Sequence, residues 1–407
     1  MNHRERVLTA LRHQEPDRVP IDLGATGDST LLAVGYQAFR RHLGLAPSTT
    51  RVIDIYQHTA VIEEDVRQAL GVDVMPVFDE PKAWRKDTLP DGSSVEFPAR
   101  FRPHRREDGS QVVFDAAGHV VLKMPRGGHY FDPVYSPLAG ATHVREIEKH
   151  MDAIVNYDTP AHLDKGYEEQ ARKAKTLRER TDYALVGFFG GHILQAGQSL
   201  RGWELFLMDL LSNKKFAHAL MEALTEAHLR RFERYAATVG PHVDVIHFEE
   251  DLGMQDRPLM RPSLYREMVK PYHKKLFDFA RSRCKAFLLL HTDGAVAPFL
   301  PDFIEMGVDA VNPVQVSAAG MDTKKLKKEF GKDITFWGGG CDSQSILPFG
   351  TPEQVSGEVK RRIDDLSPGG GFVFAPIHNV QSGVPPENSV AMFRTAREYG
   401  VYHRREK

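Results

Sequence analysis

His291 and Asp293 stand two apart at the end of the apolar run in FLLLHTDG, residues 287–294. At a strand end that spacing projects both side chains to one side, where an imidazole and a carboxylate can hold one cation or exchange a proton. The bland alternative is a turn in which the aspartate accepts a hydrogen bond from its own backbone while the histidine packs locally. A second imidazole, His378, ends the run GFVFAPIHN and favours the metal reading. Cys341 follows three glycines in FWGGGCD; it is either a sulfur ligand or a small buried filler in a place where bare backbone permits close approach. One imidazole, one carboxylate and a further nitrogen or sulfur would suit zinc with an open fourth position. In HFEEDLG, the consecutive carboxylates Glu249, Glu250 and Asp251 cannot all ionise cheaply unless a cation or arginine sits among them. Arg257 and Arg261 are near enough in sequence to serve. The three acids are candidate general acid/base groups, with Glu249 also a candidate ligand; an acidic cluster at a helix N-terminus is the alternative. His242 and His247 are assigned no role.

Such residues need a scaffold that gathers distant segments. From residue 183 a short apolar run, a polar or glycine-rich end and a helical stretch alternate repeatedly, the pattern of parallel strands with crossover helices. The runs are YALVGFFGG, VDVIHFEEDLG, KAFLLLHTDG, VDAVNPVQ, DITFWGGGCD and GFVFAPIHN, and two earlier strands, residues 18–24 and 72–77, bring the total to eight. The expected fold is therefore α/β, a (β/α)8 barrel. An open doubly wound sheet is the rival, but no Gly-x-Gly-x-x-Gly follows the first strand. In a barrel the carboxyl ends of the strands share one mouth. Asp22, Asp73, His192, Asn312, Gln315 and Asn379 are expected there as substrate-facing or catalytic groups beside the residues above. Between residues 80 and 135 two Asp-Gly turns separate alternating segments, which marks an inserted antiparallel β segment within one domain spanning 1–407.

Composition removes whole classes of function. With 41% hydrophobic and 27% charged residues and a formal net charge of −2, the chain has an ordinary globular balance and no electrostatic footprint for nucleic acid. It has no run of about eighteen apolar residues, and the start MNHRERVLTALRHQEPDRVP is a charged amphipathic helix followed by a strand. No membrane association and a cytoplasmic location are expected. Two cysteines cannot form a disulfide framework. His-Glu-x-x-His, Gly-x-Ser-x-Gly and a phosphate-binding Gly-x-x-x-x-Gly-Lys loop are all missing from the sequence.

The segments RERVLTALRHQEPDRVPID, EEDLGMQDRPLMRPSLYREMVKPYHKKLFDFAR, HTDGAVAPFLPDFIEMGVDAVNPVQ, FWGGGCDSQSILPFGTPEQV and GGGFVFAPIHNVQSGVPPENSVAMF resemble the uroporphyrinogen decarboxylase superfamily. That group of (β/α)8 barrels includes zinc-dependent methyltransferases acting with methylated corrinoids. Its decarboxylases carry an aspartate near the second strand's end, a late histidine and an arginine-rich loop after the first strand. The resemblance puts Asp73 and His378 in the first two roles, whereas the loop here reads DLGATGDSTLL, without arginine. In place of the decarboxylase tyrosine after the third strand, HILQAGQSLRGWE offers Gln195, Gln198 and Ser199, and Gln198 becomes a substrate-binding candidate. The methyltransferase branch binds zinc through His-x-Cys at the fifth strand end and a cysteine at the last; His291-x-Asp293 and His378 stand at those positions. Harder ligands would make zinc a stronger Lewis acid, suited to an oxygen substrate such as a methoxy group. The resemblance thus implies methyl transfer between a small methylated compound and a corrinoid on a partner protein, at zinc held by His291, Asp293, His378 and Cys341. A metal-free decarboxylase of a tetrapyrrole or other polycarboxylate is the alternative enzyme, and a corrinoid or small-ligand binding protein the alternative outside enzymes. The β insertion and long helices offer surface for a homodimer.

Overall fold

The computed structural model describes residues 1–52, 54–78, 80–157 and 166–402. Seven strands, Val74–Val77, Ala184–Gly190, Val245–Glu249, Phe287–His291, Ala310–Asn312, Thr335–Trp337 and Phe372–Val373, pair in parallel and in chain order. Ile21 closes the ring: it bridges Phe374 in parallel, and its carbonyl accepts from the Asp73 amide on the opposite edge. Pro20 has no amide hydrogen to donate, so this eighth staff of the barrel is reduced to a few bonds, with Asp22 N donating to Phe374 O at 2.7 Å. All eight expected strand positions are therefore occupied.

The strands are apolar because both faces are covered. Leu288, Leu289 and Leu290 are all buried, as are Val245, Ile246 and Phe248. Outer helices include Lys214–Thr238, Lys270–Arg283, Pro352–Leu366 and Pro386–Tyr399. Pro352–Leu366 begins with a capping box between Thr351 and Gln354, which satisfies two otherwise orphaned amides. At the amino end of the barrel the helix His3–Leu11, with its own Asn2–Glu5 capping box, presents the buried Arg6 to the strand bottoms. Among the described residues no helix is long and apolar enough to cross a membrane.

The expected insertion contains antiparallel pairs, Trp84–Thr88 with Ser94–Pro98, and His104–Arg105, Gln111–Phe114, Val120–Met124 and Asp132–Pro133 in a second sheet. It also recruits Thr50–Arg51 as a parallel partner of Ser94–Pro98. Val95, Phe97, Phe101, Leu122 and Phe131 pack there in a small hydrophobic cluster separate from the barrel core. From this lobe Tyr130 reaches back to the barrel, where its hydroxyl donates to Asn379 Oδ1 at 2.7 Å.

Candidate metal centre

Strand register assembles the site. His291 is the last residue of its strand, with Glu249 and Asn312 as its neighbours on the flanking strands. Asn312 Nδ2 donates to the Trp337 carbonyl at 3.0 Å, which turns Oδ1 toward His291 Nδ1, 2.7 Å away. That fixes the proton on Nδ1 and turns Nε2 toward the mouth, where it can ligate once its own proton has left. Nε2 is 3.8 Å from Asp293 Oδ2, and His378 Nε2 is also 3.8 Å from the same oxygen. The expected trio of His291, Asp293 and His378 is thus brought together.

The sequence reading missed the group at the centre. Asp28, in the loop after the first strand, is buried, with Oδ1 3.3 Å from His378 Nε2 and Oδ2 3.6 Å from His291 Nδ1. Its Oδ2 makes no hydrogen bond. Ligand atoms of Asp28, His291 and His378 all lie within 4.8 Å of one another, and the same holds for Asp251, His291 and Asp293, and for Asp28, His247 and Glu249. Burial alone would raise Asp28 and lower the histidines. Instead the imidazoles hold Asp28 well below the usual carboxylate range, while Asp28 and Asp293 push His291 up to about 10 and His378 up to about 9. Among the described residues, Asp28, Glu249, Asp251 and Asp293 form no salt bridge with lysine or arginine. Arg257, expected as a neutralising neighbour, pairs with Asp256 on the surface. Carboxylates gathered this way without fixed cations favour a bound cation.

Backbone contact between two loops sets the carboxylates in place. A Cβ on Gly253 would fall 2.3 Å from the Asp293 carbonyl oxygen, and one on Gly294, at φ +88°, would fall 2.5 Å from Gly253. Only glycines permit that approach, and across it Asp293 N donates to Asp251 Oδ1 at 3.2 Å. Burial raises the Asp251 carboxyl, and Asp293 adds to the effect. Gln315 Oε1 accepts from Gly294 N at 2.8 Å, bracing the turn that carries Asp293. His192 reaches the same mouth, its Nε2 3.0 Å from Glu249 Oε2. Asn379 lies on the rim between Tyr130, Gln57 and Gln381. Gln198 is buried on the helix Leu194–Arg201, and neither end of its amide has a hydrogen-bond partner among the described residues.

Four expectations are corrected. Asp73 is not at the mouth: it precedes the strand Val74–Val77 and lies at the other end of the barrel, bonded by Arg6, Arg18, His3 and the Ile21 amide at 2.6 to 3.0 Å. Glu250 points away from the cavity, because adjacent strand residues face opposite sides. It accepts from the amides of Ile193, Leu194 and Gln195 at 2.7 to 2.8 Å and lies 2.9 Å from His273 Nε2, bonds that engage both oxygens and hold the carboxylate on the helix start. Cys341 is fully buried, its thiol pushed up by burial and by Glu358, and no metal-capable cluster among the described residues includes it. Asp22 is fully buried too, and its oxygens accept from Trp337 Nε1 at 2.8 Å and Ala25 N at 3.0 Å, so it braces the strand ends from within instead of facing the mouth. Asp73→Asn is expected to destabilise the chain by about 3–5 kcal/mol, since it removes a buried carboxylate that is the counterion of Arg18 and shares Arg6 with Asp17. Denaturant unfolding measures this, and wild-type stability would refute the assignment.

His247 was assigned no role and proves to be buried inside the barrel, with neither ring nitrogen hydrogen-bonded. Burial lowers its pKa. Asp54, raised to about 6 chiefly by burial, adds another carboxyl nearby.

A family model described as uroporphyrinogen decarboxylase (URO-D) matches residues 137–399. No curated protein matches the chain. Among solved structures, a methyltransferase from Methanosarcina mazei is similar over 98% of this chain and 99% of its own, at 18% identity and a TM-score of 0.59. A β-glucosidase from Pyrococcus furiosus overlaps 82% of this chain and 83% of its own, at 11% identity and a TM-score of 0.34.

Proposed function

The chain belongs to the uroporphyrinogen decarboxylase family, and from that premise we propose that it is a metal-dependent methyltransferase. It moves a methyl group between a small methylated compound, such as a methoxylated one, and a corrinoid carried by a partner protein. The observation that supports this most is the Asp28–His291–His378 cluster, with ligand atoms within 4.8 Å of one another and an unpartnered, buried carboxylate oxygen. Imidazole and carboxylate donors in that arrangement fit zinc, with Asp293 as a further ligand. When bound, the ion supplies Lewis-acid polarisation of the oxygen or sulfur that carries the methyl.

The chain's own residues do the rest. Asn312 locks the His291 tautomer, and Gln315 fixes the turn that aims Asp293. The methyl leaves without its bonding electrons, so the atom it leaves keeps the pair and takes a proton. Asp251, its carboxyl raised by burial, lies where it can donate that proton, and the His192–Glu249 pair can pass one from the rim. Gln198, Asn379 and Tyr130 offer polar contacts for orientation.

Decarboxylation of a polycarboxylate fits this mouth less well. The aspartate expected to work with His378 is at the far end of the barrel, and the acids gathered here would repel an anionic substrate. The test is metal analysis by plasma mass spectrometry of the zinc-loaded, desalted chain beside His291→Ala. The expected result is zinc that the wild type retains and the variant loses. A wild-type chain that retains none overturns the proposal. Turnover of a methylated substrate with a corrinoid protein separates an enzyme from a binding protein.

A further inference from the structure

The interior of the barrel holds one imidazole that the proposed zinc site leaves unexplained. His247 sits two residues before Glu249 on the strand Val245–Glu249, so both side chains face the same way. Only 1% of His247 is exposed, and neither Nδ1 nor Nε2 has a hydrogen-bond partner among the described residues. Leaving such a group unsatisfied costs about 1–3 kcal/mol, so its position calls for a ligand. Nδ1 is 3.7 Å from Glu249 Oε1, too far for a hydrogen bond. It is close to the spacing of about 3.4 Å between two donors that each lie about 2.1 Å from a tetrahedral ion. Glu249 Oε1 is free for that role because the His192 contact uses Oε2. The third donor is Asp28, whose carboxylate comes within 4.8 Å of both.

We propose that the barrel holds two divalent cations, the second bound by His247, Glu249 and Asp28, with Asp28 bridging it to the ion at His291 and His378. The inference rests on the first ion being present. Asp28 belongs to both ligand groups, and the His247 and His291 rings stand nearly perpendicular, 6.1 Å apart. Paired ions in known two-metal sites lie about 3.5–4 Å apart with shared carboxylates, a separation this spacing accommodates. Charge points the same way. With neutral imidazoles as ligands, the carboxyl groups of Asp28, Glu249, Asp251 and Asp293 crowd this space with no lysine or arginine partner among the described residues. A second divalent ion offsets more of this crowded carboxylate charge than one ion can. Nitrogen and oxygen donors suit first-row ions such as zinc, cobalt or manganese. In the proposed chemistry the second ion would hold the substrate's polar group while the first polarises the atom that carries the methyl.

The full-length chain, stripped with chelator, is loaded with zinc alone and in parallel with cobalt(II) alone, then desalted. Metal per chain is measured by plasma mass spectrometry, and the cobalt sample is also titrated by its visible absorption. The expected result is two ions per wild-type chain filling in two steps, and one ion in His247→Gln. Glu249→Gln should match His247→Gln and decides the matter if the histidine variant does not fold. A wild type that saturates at one ion, unchanged in either variant, overturns the second site and leaves the first standing. A wild type that binds none overturns both.

Discussion

Asp28→Asn is expected to lower methyl-transfer activity by about a thousandfold or more, and zinc affinity by about a hundredfold or more, while the chain stays folded. The substitution keeps the shape and removes the charge. Asp28 is buried between the two imidazoles, 3.3 Å from His378 and 3.6 Å from His291, and it belongs to two of the three metal-capable groups. An amide supplies one weak oxygen donor where a carboxylate supplies two, and its NH2 would face an imidazole. The fold is expected to survive because the backbone of this loop is held without the carboxylate: Asp28 N donates to Thr26 Oγ1 at 3.2 Å, and Gly24 N to Ser29 O at 2.9 Å. The histidines can also shed their protons once their counterion is gone, which spares the variant a buried unpaired charge. Chelator competition gives the affinity, turnover gives the activity and circular dichroism the fold. An Asp28→Asn chain with wild-type zinc retention and turnover would take Asp28 out of the centre. The contrast with Asp73→Asn is instructive, because that aspartate is just as buried yet lies at the other end of the barrel, where its loss is felt in stability.

Much of this was legible from residue types. The eight strand positions follow from short apolar runs ending in polar or glycine-rich turns, and barrel topology alone then places His291, Asp293 and His378 around one mouth. What failed were decisions about direction. Asp73 lies inside the apolar run 72–77, and a run so short does not say whether an acid near its start marks the floor or the mouth. Glu249 and Glu250 are neighbours, so only one can face the cavity; the helix N-terminus that claims Glu250 comes from the preceding loop, 57 residues away. The same alternation was enough to find His247, since a mouth-facing Glu249 puts residue 247 on the inner face. Cys341 looks available because glycines precede it, but Gly340 brings the chain against Phe374 and Ala375, and the thiol ends in the core. Asp28 had the weakest signal, one acid in a long loop at the carboxyl end of a strand, where barrel enzymes concentrate function. Tyr130 could not be found, because its contact with Asn379 spans 249 residues and depends on how an inserted lobe folds back.

Zinc affinity is expected to rise steeply with pH, by up to about a hundredfold per unit between pH 7 and 9, because binding must displace two protons. In the metal-free protein His291 titrates at about 10 and His378 at about 9, both raised by the surrounding carboxylates against the effect of burial. Both imidazoles are therefore protonated at pH 7, and both must be neutral to ligate. The stability of the metal-free chain should move the other way. The ordinary histidine value in an unfolded chain is about 6.5. A folded value above it means that the stabilisation is fully present below that pH and is lost as pH rises through 9 and 10. Unfolding midpoints of the metal-free chain should accordingly fall across that window, while the gain in midpoint on adding zinc should grow. Isothermal calorimetry in buffers of different ionisation enthalpy should count about two protons released as the His291–His378 site fills near pH 7.5, reduced to about one in His378→Ala. An affinity that stays flat from pH 7 to 9 would mean that the imidazoles are already neutral without metal. The crowding of Asp28 and Asp293 around them would then not be the force that prepares this site for a cation.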